Sequence, residues 1–557
     1  MVILPMGERA VLAEVGSLHD VLRLHRRLAA SAPDGVVDIV PAARTVLVTT
    51  DPRRLTLSAA RAWIARAAAE EGAAASPIDA PEVEFDIVYD GPDLAGTAAL
   101  LGMSVDELVR RHAAADWRVA FTGFAPGFGY LVSDDWTFDV PRLDAPRTRV
   151  PAGSVGLAGA FTGAYPRETP GGWRLIGTTT APLWTPRASS DGPESASPAL
   201  LTPGARVRFR VVRGAPALPA VPAPAASPRD GATSLHPRRR SMAPMRKTGA
   251  ATDPATAQAA ATSSETGHDG IRVLEPGLLA TVQDLGRAGR AAQGIARSGA
   301  LDRAALRTAN RLVGNGEDAA GIEVTMGGLR AVAGRDTWVA VAGAWGRIHL
   351  DGAEVDPYEA HAWRAGAELG LDWFGHGARA YIAVRGGIDT PPVAGSRATD
   401  ILAGIGGAPL HAGDALRVGA EPGIPLPPAA IAPWGAPHDD ELEVELAPGP
   451  RADWFAASAL QTLYEQLWTV TGDADRVGMR LDGPELTRSR DGELPSEGMV
   501  PGALQVPPGG RPTILLADGP VTGGYPVIAV ATDASLDALA QARPGTRIRF
   551  RHARPAV

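Results

Sequence analysis

Two ten-residue segments, far apart in the chain, follow the same pattern. Leu201 to Arg210 reads LTPGARVRFR, and Ala542 to Arg551 reads ARPGTRIRFR. Each places a turn before alternating apolar and polar residues, as the closing strand of a β-barrel does. A shorter relative, HAGDALRVG, ends at Gly419, so we expect three related β domains. TGAYP at 162–166 and TGGYP at 522–526 form a second candidate repeat, although glycine- and proline-rich turns can also resemble one another by coincidence.

The chain is too long for one core, because 557 residues correspond to several domains of 100–200 residues each. A segment rich in Ala, Pro, Ser and Thr, without periodicity, separates two halves and is typical of a disordered linker. Its arginines leave open a basic patch for an acidic partner. We therefore predict a small α+β domain at 1–78, a β domain at 79–213, the linker at 214–269, and two β domains at 270–425 and 426–557.

Helices are expected at only a few places in this mainly β chain. LHDVLRLHRRLAA and LSAARAWIARAAAEE have apolar residues at helical spacing and belong to the first domain. SVDELVRRHAAA interrupts the strands of the second domain. Its start is marked by Ser104 with Glu107 three residues on, which is a capping box.

Composition excludes several classes of protein. The chain has no cysteine, so disulfides, thiolate catalysis and cysteine-based zinc sites are ruled out. The formal charge of −8 argues against nucleic acid as the main partner. Lys247 is the only lysine and lies in the linker, so neither a Walker A loop nor a kinase lysine can exist. We find no signal peptide and no apolar run long enough for a membrane span, so a cytoplasmic location is expected.

In the first half of the chain, the candidate functional residues lie in glycine-rich loops. GFAPGFGYL begins at Gly123, PRTRVPAGSVGLAG at Pro146 and PGGWRLIGTT at Pro170. Such loops let backbone N–H groups approach an anion without lysine, although barrel corners also need glycine. The candidate substrate- or nucleotide-binding residues here are Gly123, Phe124, Pro126, Gly127, Phe128, Arg147, Gly153 and Ser154.

The second half adds charged side chains in glycine-containing turns. Three acid–arginine pairs sit in or near such turns: Asp284 with Arg287, Arg297 with Asp302, and Asp475 with Arg476. Arginine suits carboxylate or phosphate recognition, and carboxylates suit Mg²⁺ or general-base work. The catalytic candidates are Asp475, Arg476, Glu497 and Asp518; the binding candidates are Asp284, Arg287, Arg297, Ser298, Asp302, Gln505, Thr522, Gly523 and Gly524. The alternative is that these charges form buried ion pairs that hold loops to barrels.

The other motifs give little evidence of function. Ser154 and Ser298 lie in no nucleophile elbow, and His25, His112, His361 and His376 have no metal-ligand spacing, so no metal site is predicted. MRKT around Lys247 is a poor copy of a biotinylation motif, so covalent biotin is not expected.

The motifs GFAPGFGYL, PRTRVPAGSVG, TGAYP and PGGWRLIGTT resemble the family called allophanate hydrolase subunit 1, KipI or the B subunit of 5-oxoprolinase, and the resemblance covers essentially all of residues 1–213. From about Ile271 to Phe550, GLLATVQDLGRAGR, ARSGALDRAALRTANRLVGN and SEGMVPGALQVPPGGRPTILLADGPVTGGYP resemble allophanate hydrolase subunit 2, KipA or the C subunit of 5-oxoprolinase. Both families are similar to the carboxyltransferase region of urea carboxylase. The resemblance implies cyclophilin-like β-barrels. Many relatives have Gln-Thr before TGGYP, where this chain has Pro520 and Val521.

The resemblance implies a component of an ATP-dependent 5-oxoprolinase, which opens 5-oxoproline (pyroglutamate) to L-glutamate. It implies ATP as cosubstrate, with Mg²⁺ as a further candidate, and a separate third component of the LamB/YcsF-like type (the A component), without which this chain is expected to be inactive. A homo-oligomer is left open. Two alternatives remain: a carboxyltransferase component of a urea carboxylase or allophanate-type system, and a KipI/KipA-like regulator of a histidine kinase.

Overall fold

The computed structural model describes residues 1–70, 81–143, 145, 147–185, 198–214, 270–428, 435–438, 440–490, 492 and 494–554. The predicted linker, with Lys247, lies outside the described residues, apart from its first position. Within the described part of the chain, no helix is long and apolar enough to cross a membrane.

The N-terminal domain is one antiparallel sheet covered by two helices. Its elements are β1 (Val2–Pro5), β2 (Ala10–Glu14), α1 (Leu18–Ala30), β3 (Val36–Pro41), β4 (Thr45–Thr50) and α2 (Leu57–Ala69). The strand order is β1-β2-β4-β3. One face of the sheet packs on the helices through Val21, Leu24, Trp63 and Ile64. The other face is therefore free to cover a neighbouring domain.

The second domain is a seven-stranded sheet rolled on itself. Its elements are β5 (Glu82–Ile87), α3 (Leu94–Leu100), α4 (Val105–Ala114), β6 (Trp117–Thr122), β7 (Gly129–Val132), β8 (Arg147–Val150), β9 (Ser154–Ala158), β10 (Phe161–Ala164), β11 (Thr169–Gly171), β12 (Arg174–Thr178) and β13 (Arg206–Val211). The order is β12-β9-β10-β7-β6-β13-β5, with β8 and β11 paired beside it. A bridge between Val88 and Thr178 brings the two ends together. The predicted cap is present, since Ser104 Oγ accepts the Glu107 N–H at 3.2 Å.

The third domain has two sheets around one apolar core. Its elements are β14 (Gly270–Pro276), β15 (Leu279–Gln283), a 3₁₀ turn (Ala291–Gln293), α5 (Arg303–Leu312), β16 (Gly321–Thr325), β17 (Leu329–Ala333), β18 (Thr337–Trp345), β19 (Ile348–Leu350), β20 (Ala353–Val355), β21 (Ala360–Trp363), β22 (Glu368–Leu371), β23 (His376–Val384) and β24 (Ala415–Arg417). The orders are β20-β19-β22-β17-β14-β24 and β15-β16-β23-β18-β21. Buried residues from both sheets form the core.

The fourth domain is a closed barrel. Its elements are β25 (Glu441–Pro448), a 3₁₀ turn (Ala452–Trp454), α6 (Ala457–Glu465), β26 (Leu467–Ala474), β27 (Gly478–Asp482), β28 (Glu497–Gly498), β29 (Ala503–Gln505), β30 (Thr513–Leu515), β31 (Thr522–Gly523), β32 (Val527–Ala531), α7 (Asp533–Leu539) and β33 (Arg547–His552). The order is β25-β32-β29-β30-β27-β26-β33, with β28 and β31 paired beside the barrel. The expectation of a mainly β chain with several barrel-like domains and a small α+β domain is confirmed.

The second and fourth domains share their topology. The two LTPGARVRFR-like segments form β13 and β33, and each runs parallel to the first strand of its domain. The third proposed copy forms β24, which instead pairs antiparallel with β14. The repeat therefore relates two domains rather than three.

Candidate functional site

Two glycine-dependent turns place a pair of arginines side by side. The Arg287 N–H donates to the Arg297 carbonyl at 2.8 Å. Gly286 and Gly299 face each other across this contact with φ of 82° and 86°. A Cβ on Gly299 would lie 2.6 Å from the Gly286 nitrogen. Only glycine permits this approach, which explains the glycines beside both arginines.

These turns border a cavity at the junction of the first, third and fourth domains. Its volume, including the open mouth, is about 1270 Å³. Much of the wall is apolar and comes from both halves of the chain. The apolar lining includes Met6, Ala10, Val37, Leu47, Ala291, Leu301, Met499, Val500, Leu515, Val521 and Val530. A concave, mainly apolar site with a few polar groups is typical of small-molecule binding.

One end of the cavity is charged. Arg9 forms an ion pair with Asp533, and Arg303 lies 3.4 Å from the same carboxylate. Asp38 accepts the Gly289 and Ala291 N–H groups at 3.1 and 3.0 Å. Burial raises the pKa of Asp38, while those N–H groups and Arg297 oppose the rise.

Unlike Arg9 and Arg303, Arg297 has no carboxylate within 4 Å among the described residues. Its side chain donates from Nε to the Leu285 carbonyl at 3.4 Å. Burial lowers its pKa, and nearby Arg303 lowers it further. A partly buried guanidinium with free N–H groups is suited to an oxyanion ligand.

Behind this wall lies a buried ionic network. Arg476 donates two bonds to Asp518, both at 3.0 Å, and one to Glu323 at 2.6 Å. Its Nη2 also reaches the Gly299 carbonyl at 2.6 Å. Ser298, with φ of 53°, donates to Asp518 at 2.6 Å. The network joins the third domain to the fourth beneath the arginine turns.

In this structure none of the three acids, Asp284, Asp302 and Asp475, forms an ion pair with its neighbouring arginine. Asp302 does not pair with Arg297. It instead caps α5 through the Ala305 N–H at 2.8 Å and accepts from Gln541, and burial raises its pKa to about 6.

The other two acids are also held by groups other than the neighbouring arginine. Asp284 holds the Ser396 hydroxyl and the Arg397 N–H at 2.6 and 2.7 Å, while Arg287 bonds the Ala398 and Val393 carbonyls. Asp475 is exposed and closes a turn with the Val477 N–H at 2.7 Å. Short acidic side chains bond nearby backbone N–H groups first, so sequence adjacency does not imply an ion pair.

Glu497 belongs to an ion-paired bridge between the two halves. It is 2% exposed and pairs with Arg451, whose Nη1 donates to Glu14 at 2.9 Å. Burial raises the pKa of Glu497, and the Arg451 pairing opposes this. The bridge lines a second cleft, between the first and fourth domains.

The glycine loops of the two halves meet beside the cavity. The Phe124 N–H donates to Thr522 Oγ1 at 2.8 Å. The Thr122 hydroxyl donates to the Ala292 carbonyl at 2.6 Å. Gly123 bonds the Phe128 carbonyl, which closes its own loop. Gly523 pairs with Glu497, and a Cβ on Gly523 would lie 3.7 Å from Gln505 Oε1. Gly524 lies near Leu494.

Other candidates lie inside the second domain, away from the cavity lining. Gly127 faces Leu183, and Pro126 is buried beside it. Gly153 bonds Tyr165 at 2.7 Å, and Ser154 is buried in β9. Arg147 pairs with Asp93 at 2.8 Å, and its Nε and Nη1 have no partner among the described residues.

Within the described residues, no three histidine or acidic side chains come together to hold a metal.

Several residues of the site carry no sequence signal. Glu323 is hidden in the apolar pattern of β16, and Arg9, Asp38 and Asp533 are far apart in the chain. Only the folded structure brings these side chains to one site. Arg451 follows β25 in a Gly-Pro turn, a signal that could have marked it as a loop candidate.

Comparison with known proteins shows to which family the chain belongs. Residues 1–193 match the model of the carboxyltransferase domain, subdomain C and D, and residues 293–552 match its subdomain A and B. The C subunit of 5-oxoprolinase from Escherichia coli K12 is 38% identical over 50% of this chain and 90% of its own length. The B subunit of 5-oxoprolinase from Escherichia coli O157:H7 is 38% identical over 37% of this chain and 93% of its own length. The chain belongs to the family of the 5-oxoprolinase B and C subunits.

The two matches are consistent with a fusion of both subunits in one polypeptide. The solved structure of TTHA0988 aligns over 98% of this B–C chain and 99% of its own, with a TM-score of 0.77 and 34% identity. Urea amidolyase of Saccharomyces cerevisiae is 31% identical over 50% of the chain, which corresponds to 16% of that larger protein. The family resemblance expected from the sequence is confirmed.

Proposed function

We propose that this chain is the B–C component of an ATP-dependent 5-oxoprolinase, which acts with a separate A component. The observation that carries the proposal is the shared cavity: Met6, Ala10 and Leu47 of the B-like half face Met499, Leu515 and Val530 of the C-like half. A site built from both halves explains why the two subunits work together. The cavity has room for a small ring with a polar substituent.

Opening a lactam ring with ATP sets requirements that this cavity has to meet. A lactam is a poor electrophile, so phosphate transfer from ATP to its oxygen creates a leaving group before water attacks the ring carbon. ADP leaves in that first transfer; the C–N bond of the hydrated intermediate then breaks to give an acyl phosphate, and a second water hydrolyses it to glutamate and phosphate. The chain's part is to orient the ring against the apolar wall and to exclude stray water. Arg297 supplies a positive group at the charged end.

The test is glutamate release from 5-oxoproline and ATP by the chain together with the A component. Thr49→Phe and Ala291→Phe each push a ring into the cavity, one from each half. Each should lower kcat/KM by about tenfold or more, since misplacing a bound ring by 1 Å is costly. Val211→Phe, at a position 51% exposed and outside the cavity, is the control.

Three outcomes would contradict the proposal. The first is no glutamate from the complete complex. The second is full activity in both cavity-filled variants. The third is carboxyl transfer to or from biotin in place of ATP hydrolysis, which would favour the carboxyltransferase alternative.

A further inference from the structure

The charged side chains of the cavity lining differ in how many partners they have. Four arginines line it (Arg9, Arg287, Arg297 and Arg303), together with three carboxylates, Glu8, Asp38 and Asp533. Asp537 lies behind the lining as a further partner of Arg303. The ion pairs and hydrogen bonds show which arginine has the fewest partners.

Every other charged group near Arg297 already has its own partners. Arg9 and Arg303 share Asp533, and Arg303 also bonds Asp537 at 3.3 Å. Asp38 is held by backbone N–H groups, and Glu8 accepts the Asp533 N–H at 2.9 Å.

Arg287 is different again. It is fully buried, and two backbone carbonyls hold its Nε and Nη2. Its Nη1, which has no partner among the described residues, lies beneath the cavity surface. Among the four arginines of the described cavity lining, Arg297 alone has neither a carboxylate within ion-pair distance nor two side-chain hydrogen bonds to backbone carbonyls.

We propose that Arg297 is the carboxylate-recognising residue of this cavity, whose ligands are small monocarboxylates with a compact, mainly apolar body. This inference rests on the proposed function, because it orients 5-oxoproline in the same cavity. The carboxylate bonds the Arg297 fork, and the ring lies against Met499, Leu515 and Val530.

A carboxylate suits this cavity better than a phosphate chain does. A monoanion can be paired by the Arg297 guanidinium, whereas a di- or triphosphate would bring several negative charges into a mostly apolar space. Desolvated charges without partners are strongly unfavourable in such a setting. Arginine also matches the planar carboxylate through two parallel hydrogen bonds.

The experiment compares two ligands that differ only in the carboxylate. 5-Oxoproline and 2-pyrrolidinone are titrated calorimetrically into the complete complex, in the wild type and in the Arg297→Gln and Arg297→Lys variants. The wild type should prefer 5-oxoproline by about 10- to 100-fold, as expected for hydrogen bonds to a charged group. Arg297→Gln should lose that preference while its affinity for 2-pyrrolidinone stays within about twofold. Arg297→Lys should recover part of it.

Inorganic phosphate and ATP are titrated as well. Binding of either that depends on Arg297, with no loss of 5-oxoproline affinity in Arg297→Gln, would overturn the proposal and make this a phosphate site. If Arg297→Gln still prefers 5-oxoproline over 2-pyrrolidinone and the complex still releases glutamate, the inference about Arg297 is wrong and the proposed function stands. If carboxylate binding depends on Arg297 but the complex releases no glutamate, the inference stands and the proposed function is wrong. An unchanged thermal midpoint shows that each variant is folded.

Discussion

Two consecutive residues show how burial separates chemical roles that sequence cannot. Asp475 and Arg476 both lie in DADRVG, and both are catalytic candidates by residue type. Arg476 is 1% exposed and ties Asp518 to Glu323, while Asp475 faces solvent. Burial alone would lower the pKa of Arg476, but Asp518 and Glu323 outweigh it and raise the pKa. The alternative interpretation of these charges, as buried ion pairs, fits this geometry.

We therefore expect Arg476→Ala to destabilise the protein by about 3–5 kcal/mol, because two buried carboxylates lose their partner. Asp475→Ala should change stability by only about 0.5 kcal/mol, since its side chain is exposed. Chemical denaturation followed by tryptophan fluorescence measures both. A folded, equally stable Arg476→Ala protein without turnover would instead restore a direct catalytic role.

At the scale of elements, the duplicated barrel allows its members to be compared position by position. The Asp93 N–H donates to the Leu175 carbonyl at 3.0 Å, and the Arg451 N–H donates to the Val527 carbonyl at 3.0 Å. Arg147 pairs with Gly171, and Glu497 pairs with Gly523. The ion pair Asp93–Arg147 in one barrel thus corresponds to Arg451–Glu497 in the other, with both charges reversed.

This equivalence corrects the second candidate repeat, which matched TGAYP with TGGYP. Thr522 lies in β31, whose counterpart is β11 with Thr169, whereas Thr162 lies in β10. The true counterpart of TGGY at 522–525 is therefore PGGW at 170–173, and TGAYP is a coincidence of turn residues. Closing strands could be recognised from sequence because alternation and a turn define them. Two-residue strands such as β31 have too little pattern to align.

The junction of the two glycine loops gives a prediction of its own. A Cβ on Gly123 would lie 2.6 Å from Thr522 Cγ2, well inside van der Waals contact. Gly123→Ala should therefore cost about 1–3 kcal/mol by overpacking and lower turnover of the complex. Thr522→Gly removes the obstructing side chain, so the double variant should recover stability relative to Gly123→Ala. A double-mutant cycle on thermal midpoints measures the coupling, and additive effects would show that the loops do not constrain each other.

At the scale of the whole molecule, the sequence predicts the parts better than their arrangement. The helices of the first domain, the Ser104 cap and the barrel strands follow from local patterns. The cavity does not, because its wall joins β2, the 287–303 turns and the fourth domain. Which arginine stays unpaired depends on distances between domains, and no local pattern encodes these.

The arrangement also predicts how the halves hold together. Their contacts include an apolar cluster of Met6, Leu12 and Leu47 against Met499 and Val530. At its edge, Arg451 of the C-like half bonds Glu14 of the B-like half. Burial of such a cluster is the main source of association, and the ion pair adds specificity. Covalent fusion is then not what keeps the halves together.

Accordingly, residues 1–214 and 270–557, co-expressed as separate chains, should copurify as a one-to-one complex. Glu14→Arg sets two guanidinium groups against each other, since Glu497 occupies only part of Arg451. We expect it to weaken the complex of the two chains by at least about tenfold, because like charges at an interface cost several kcal/mol. Asp34→Arg makes the same change of charge in the same domain at an exposed ion pair with Arg54, so it should leave affinity within about twofold. Biolayer interferometry at two salt concentrations separates the contributions. Equal weakening by both substitutions would mean that net charge, rather than the Glu14–Arg451 contact, governs assembly.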